Sequence, residues 1–197
     1  MRALVIAVAV TNLIDAPLAV VYPVLAKDVY DSATALGLLF AGSGAGSIAG
    51  AVGFGMVGHR LPRRVTFIAG FITIALLFWL LALLPPLAVA ILVSTATGIA
   101  AALLNPLLST IFQERVPASL RGRVFGTLSA ITWLAVPLGM LAGGYLLDRL
   151  GLQPLLIGIA ACYLAATVSM LFIPALREMD RSADPGIAAT AVPGREA

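Results

Sequence analysis

The chain has 197 residues, 61% of them apolar and 11% charged, against about 45–50% and about 25% in ordinary soluble domains. So few charges cannot cover the surface of a water-soluble domain, and a mean hydropathy of +1.07 also excludes a disordered chain and a coiled coil. One cysteine (Cys162), one histidine (His59) and a net charge of +3 carried in short basic clusters between apolar runs exclude a disulfide framework, a Cys-based metal cluster, most His-dependent catalysis and a phosphate-binding face for nucleic acid.

An all-α, polytopic membrane protein remains, and its spans can be counted along the chain. A helix crossing the hydrocarbon core needs about 20 mostly apolar residues. Between Arg2 and Lys27 the one charge is Asp15, which sets a first span near Ala3–Leu25. Its start resembles a secretory signal, but the apolar run continues through Val20, Val21 and Val24, so a retained helix is expected. The uncharged stretch from Ser32 to Gly58 gives a second span near Thr34–Val57. Val65 to Gln113 is 49 uncharged residues, ~73 Å as one helix and twice too long for one crossing. Pro85-Pro86 breaks it into a hairpin, Val65–Leu84 and Leu87–Phe112. Val124–Leu147 and Leu155–Leu176 are the fifth and sixth spans. Residues 1–176 thus form the transmembrane unit, and 177–197, with charges among Pro, Gly and Ala and no apolar period, read as a disordered tail.

Basic residues orient the bundle. With six spans, one side carries Arg2, Arg60, Arg63, Arg64, Arg115, Arg121, Arg123, Arg177, Arg181 and Arg195, and the other Lys27 and Arg149. A ratio of ten to two predicts both termini in the cytoplasm. Tyr22, Tyr30, Trp79 and Tyr145 fall toward outer helix ends, where an aromatic belt is expected.

Sliding the chain on itself by 89 residues aligns Pro17 with Pro106, Gly37 with Gly126, Gly50 with Gly139, Gly55 with Gly144, Arg60 with Arg149 and Leu61 with Leu150. Each copy, about 3–87 and 88–176, holds three helices, an odd number, so the second is inverted in the membrane. Inverted 3+3 repeats are an architecture of secondary transporters. The small-residue pairs Gly46/Gly50 and Gly139/Gly143 have the spacing that lets helix backbones approach closely.

These residues resemble the C-terminal six-helix half of the major facilitator superfamily. The segment "GMVGHRLPRR" (55–64) is similar to that family's cytoplasmic signature loop: Gly55, Arg60, Arg63 and Arg64 match it, while His59 stands where the family has an acid and Pro62 where it has a glycine. The resemblance implies a gating loop at Gly55, His59, Arg60, Arg63 and Arg64. "QERVPASLRGRVFG" (113–126) is similar to the loop before the eleventh helix of drug and siderophore exporters, and "VPLGMLAGG" (136–144) loosely to the antiporter branch's Gly-Pro signature. The resemblance covers about residues 3–176. It implies a cell-membrane transporter of small molecules, an exporter driven by the proton gradient. Family members usually have twelve helices. Either the chain is part of a longer one, or six-helix units pair, as a second half or a homodimer partner.

Asp15 is the one carboxylate inside an expected span, and an ionisable group there costs about 2.5–3.5 kcal/mol on insertion scales. Two readings stand side by side. Asp15 couples protons or binds a cation, with Asn12 on the same helical face, or it caps a helix restarted at Pro17. Asn105, before Pro106 in the fourth span, is the other polar candidate, with a structural bend as its alternative role. No cofactor or metal is implied. The partners expected are the lipid bilayer and a small-molecule substrate. Ser43 in "AGSGAG" (41–46) resembles an intramembrane-protease serine, but its one possible base, His59, lies at the cytoplasmic boundary, so no enzyme is expected. A membrane subunit that does not itself transport is the alternative function.

Overall fold

The two prolines at 85 and 86 remove backbone donors where a helix would need them, and in the computed structural model the chain turns back there. The structure describes residues 2–58, 62–115 and 121–171. In chain order they form α1 (Arg2–Asp15), α2 (Leu18–Val24), a π-helical turn (Leu25–Val29), α3 (Ala33–Val57), α4 (Arg63–Ala82), α5 (Leu87–Arg115), α6 (Arg121–Leu150) and α7 (Leu152–Leu171). No strand occurs among the described residues.

Local chemistry explains the breaks. Pro17 interrupts the first span between α1 and α2, and Pro23 inside α2 removes another donor. The helix then widens, so that the Tyr30 amide bonds the Leu25 carbonyl at 3.3 Å, the i→i+5 pattern of a π turn. Ser32 caps α3, its hydroxyl accepting from the Ala35 amide at 3.3 Å. Gly151 separates α6 from α7 at φ +85°, a left-handed conformation that glycine adopts without penalty.

Five stretches among the described residues are long and apolar enough to cross a bilayer: Ala9–Val29, Ala33–Met56, Arg64–Ala82, Leu87–Pro106 and Leu152–Ser169. The sixth helix of comparable length, α6, has 30 residues, or ~45 Å; its described part is diluted by glycines, Pro137, Asp148 and Arg149. The expected tail at 177–197 lies outside the described residues. The chain is a multi-pass, all-helical membrane protein.

Packing follows the logic of a lipid solvent. Large apolar side chains point outward: Ile48, Met56, Leu92, Trp133 and Leu141 are each at least two-thirds exposed, as lipid contact permits. Inside, α4 and α7 meet through Phe67, Phe71, Phe78, Leu156 and Tyr163. The most extensive contact joins α3 to α5; α4 also packs on α5, and α1 and α2 lie on α6 with α1 also touching α7. Small residues bring these backbones together. A Cβ on Gly46 would fall on the Thr95 carbonyl oxygen, one on Gly50 would lie 2.6 Å from the Ile99 carbonyl oxygen, and one on Gly98 would meet the Ser43 carbonyl oxygen. Ser47 Oγ donates to the Gly98 carbonyl at 3.4 Å across the same contact. On the other side, a Cβ on Gly139 would lie 2.5 Å from Ala16 Cβ and one on Gly143 2.7 Å from Pro17 Cβ.

The four aromatics expected at outer helix ends separate. Trp79 and Tyr145 are exposed, and Tyr145 stacks beneath Arg149, whose guanidinium carbon is 5.5 Å from the ring centre. Tyr30 donates to the Pro85 carbonyl at 2.7 Å and ties the end of the first span to the α4–α5 turn. Tyr22 turns inward, half-buried, edge-on to Phe40 at 5.8 Å.

Candidate functional site

Asp15 is the last residue of α1, at the break that Pro17 imposes. It is half-buried, and two phenols lie within electrostatic reach of its carboxylate, Tyr22 from α2 and Tyr163 from α7. The Tyr22 phenol also approaches the fully buried hydroxyl of Ser94 on α5, short of a well-formed hydrogen bond. The broken first span and α7 therefore approach one carboxylate, and α5 meets Tyr22 beside it.

The surroundings hold Tyr163 in place. Its ring meets Phe78 edge-on at 5.2 Å and stacks with Phe71 at 5.9 Å, and Phe71 packs on Phe67 at 4.8 Å. One turn further along α7, the buried Thr167 hydroxyl donates to the Tyr163 carbonyl at 2.8 Å. A phenol fixed by an aromatic wall can offer its O–H to a carboxylate without the rotamer entropy of a free side chain.

The amides at the start of α2 are already engaged. Ala19 N bonds the Ala16 carbonyl at 3.2 Å, and Val20 and Val21 N bond the Pro17 carbonyl at 2.9 and 3.0 Å. The Leu18 amide, three residues after Asp15 and so the donor that a cap there would use, is not among these three. A carboxylate here can cap the restarted helix or, with two phenols in electrostatic reach, take up and release a proton or attract a cation.

The other sequence candidates are spread out. Asn12 is half-buried one turn before Asp15, near the buried Thr11. Asn105 is exposed and donates through Nδ2 to the Ala101 carbonyl at 3.3 Å on its own helix, beside Pro106. Gly55 is exposed near the end of α3, and Arg64 is half-buried in the first turn of α4. His59 and Arg60 lie outside the described residues, as does the Arg63 side chain. Ser43 sits in α3 with its carbonyl against Gly98, about 22 Å along the helix from Gly58 at the rate of ~1.5 Å per residue. No group of three or more His, Cys, Asp or Glu that could hold a metal occurs among the described residues.

Tyr22, Ser94 and Tyr163 were not among the candidates read from the sequence. A weak signal existed for one of them: Tyr163 and Thr167 are polar-tipped residues four apart on a mostly apolar helix, and so share a face.

Comparison with known proteins adds a family. Residues 4–193 match the family described as Major Facilitator Superfamily. The chain is 33% identical over 135 residues to proteins named "Multidrug efflux pump Tap" from Mycobacterium bovis and Mycobacterium tuberculosis, covering 68% of this chain and 32% of theirs. It is 30% identical over 152 residues to a protein of the same name from Mycolicibacterium fortuitum, covering 77% of this chain and 37% of that one. The match thus spans about a third of the length of these curated relatives.

Proposed function

The chain belongs to the major facilitator superfamily, and from that premise we propose that it forms one six-span unit of a small-molecule exporter coupled to the proton gradient. The unit is an inverted 3+3 repeat in the cell membrane, with both termini and the tail at 177–197 cytoplasmic. It works beside a second six-helix unit, either a complementary half or another copy of this chain.

Helix pairing supports the repeat. Exchanging the first span with α5 and α3 with α6 carries the α3–α5 contact onto α6–α1, the α4–α5 contact onto α7–α1, and α4–α7 onto itself; all of these occur. The register agrees as well. A Cβ on Gly50 would be 3.0 Å from Ala102 Cβ, and one on Gly139 2.8 Å from the Leu13 carbonyl oxygen. A shift of 89 residues carries Gly50 onto Gly139 and Leu13 onto Ala102.

The observation that carries the functional reading is the Asp15 carboxylate, within electrostatic reach of Tyr22 and Tyr163 at the break in the first span. An intramembrane ionisable group with polar neighbours is expensive, and such groups mark proton and ion pathways. Export in the named relatives fits this chemistry. Gly55, His59, Arg60, Arg63 and Arg64 form the cytoplasmic gating loop.

The test is proton-driven uptake of ethidium into inverted vesicles holding the chain together with a second six-helix unit. Asp15→Asn, the neutral mimic, is expected to abolish driven uptake at unchanged protein level. Near-normal uptake by Asp15→Asn, with Asp15→Ala as the damaging change through lost stability, returns Asp15 to the capping role. The alternative function, a membrane subunit that does not itself transport, predicts no driven uptake even for the unaltered sequence.

A further inference from the structure

The corner between the first span and α3 encloses a cavity of about 300 Å³ whose walls include Pro23, Ala26, Lys27, Asp31, Ser32 and Leu36. Its shape comes from the backbone. The π turn over Leu25–Val29 widens the helix end, the Ser32 amide reaches back to the Ala26 carbonyl at 3.0 Å, and Asp31 takes φ +46°, a region that Asp enters more readily than most residues. Lys27 and Asp31 then line the same cavity. Both are exposed, and neither forms an ion pair among the described residues. Asp28, in the same turn, is not part of the lining.

We propose that this corner binds the headgroup of a phospholipid bearing a primary ammonium, with its phosphate on Lys27 and its ammonium on Asp31. The cavity lies at the junction of the stretches Ala9–Val29 and Ala33–Met56: Asp31 and Ser32 fall between them and Lys27 in the last turn of the first, where the chain leaves the apolar core for the headgroup layer. Pro23, Ala26 and Leu36 continue its wall into the apolar spans, where glycerol and acyl chains follow. One positive and one unpaired negative group in a single cavity match a zwitterion. An anionic headgroup without an amine would leave Asp31 facing phosphate, and a quaternary ammonium has no N–H to donate to the carboxylate.

The full chain, purified in detergent, is offered equal amounts of phosphatidylethanolamine, phosphatidylglycerol and phosphatidylcholine, and bound lipid is read by native mass spectrometry. Free phosphoethanolamine is the soluble competitor. Phosphatidylethanolamine is expected to be retained about tenfold over the other two, a difference of ~1.4 kcal/mol. Asp31→Asn, which tolerates the left-handed backbone, should erase that preference while total phospholipid stays bound. Lys27→Gln should lower retention of all three, with helical circular dichroism unchanged in both variants. Equal retention of the three lipids by the unaltered chain, or a preference that survives both substitutions, overturns the proposal. Displacement of the lipid by phosphoethanolamine at equal concentration also overturns it, because a soluble zwitterion is then the ligand.

Discussion

The Tyr163 phenol lies within electrostatic reach of Asp15 while its ring is held by Phe71 and Phe78. Tyr163→Phe keeps the ring and removes the hydroxyl. If the phenol supports the proton exchange proposed for Asp15, driven uptake should fall several-fold with folding intact; loss of the folded protein would make Tyr163 a core residue only. Tyr30 is a stability residue outside the spans. Burial raises its phenol above the usual value, so the folded state holds that proton more tightly than the unfolded state. Its contribution is complete below about pH 10 and is lost as pH rises through the folded value. Tyr30→Phe should cost about 0.5–1.5 kcal/mol through the bond to Pro85 and flatten the alkaline limb of a thermal-unfolding profile in detergent. Asp15 drew notice in the sequence because it is the one carboxylate inside the span expected at Ala3–Leu25. Tyr163 was not, because its partner lies on a helix nearly 150 positions earlier and only tertiary packing joins them. Tyr22 was misplaced for a specific reason: the first span was expected to end at Leu25, but helical structure runs through the π turn to Val29, which moves Tyr22 about 6 Å deeper at ~1.5 Å per residue.

Within α3, glycines of the same helix should answer differently to one substitution. Gly46→Ala drives a methyl into the Thr95 carbonyl, and overpacking of this kind costs about 1–3 kcal/mol. Gly44 meets nothing within 4 Å, so Gly44→Ala should gain helix propensity of roughly 0.5–1 kcal/mol. Thermal unfolding in detergent distinguishes them; equal effects would contradict the α3–α5 contact. The glycine stripe was visible in the sequence, but its partner surface of Thr95, Gly98 and Ile99 was not, since those residues carry no small-residue signature of their own beyond Gly98. Pro85-Pro86 marked its turn clearly because no backbone donor exists there. The ends of α6 were harder. The expected span Val124–Leu147 lies inside a longer helix running from Arg121 to Leu150, since a helix continues past the hydrocarbon edge where water accepts its charges. At the loop preceding α4, Arg60→Ala should lower transport while leaving membrane insertion intact. A joint loss of both would assign the loop to folding alone.

For the whole molecule, the bundle looks inside-out beside a soluble protein, with Ile48, Met56 and Trp133 outward and glycine backbones inward. That inversion was legible from composition alone; the pairing of α3 with α5 and of α1 with α6 was not, because it depends on surfaces far apart in the chain. The repeat makes a demand that ordinary helix counting does not. Arg60 and Arg149 occupy equivalent positions in the two copies, so an inverted repeat must hold them on opposite faces of the membrane. The direct measurement is labelling by a membrane-impermeant maleimide of Arg60→Cys and Arg149→Cys, each in a Cys162→Ala background, in intact cells and in inverted vesicles. The inverted repeat predicts that position 149 reacts in intact cells and position 60 only in inverted vesicles. Reaction of both positions from the same side would contradict it.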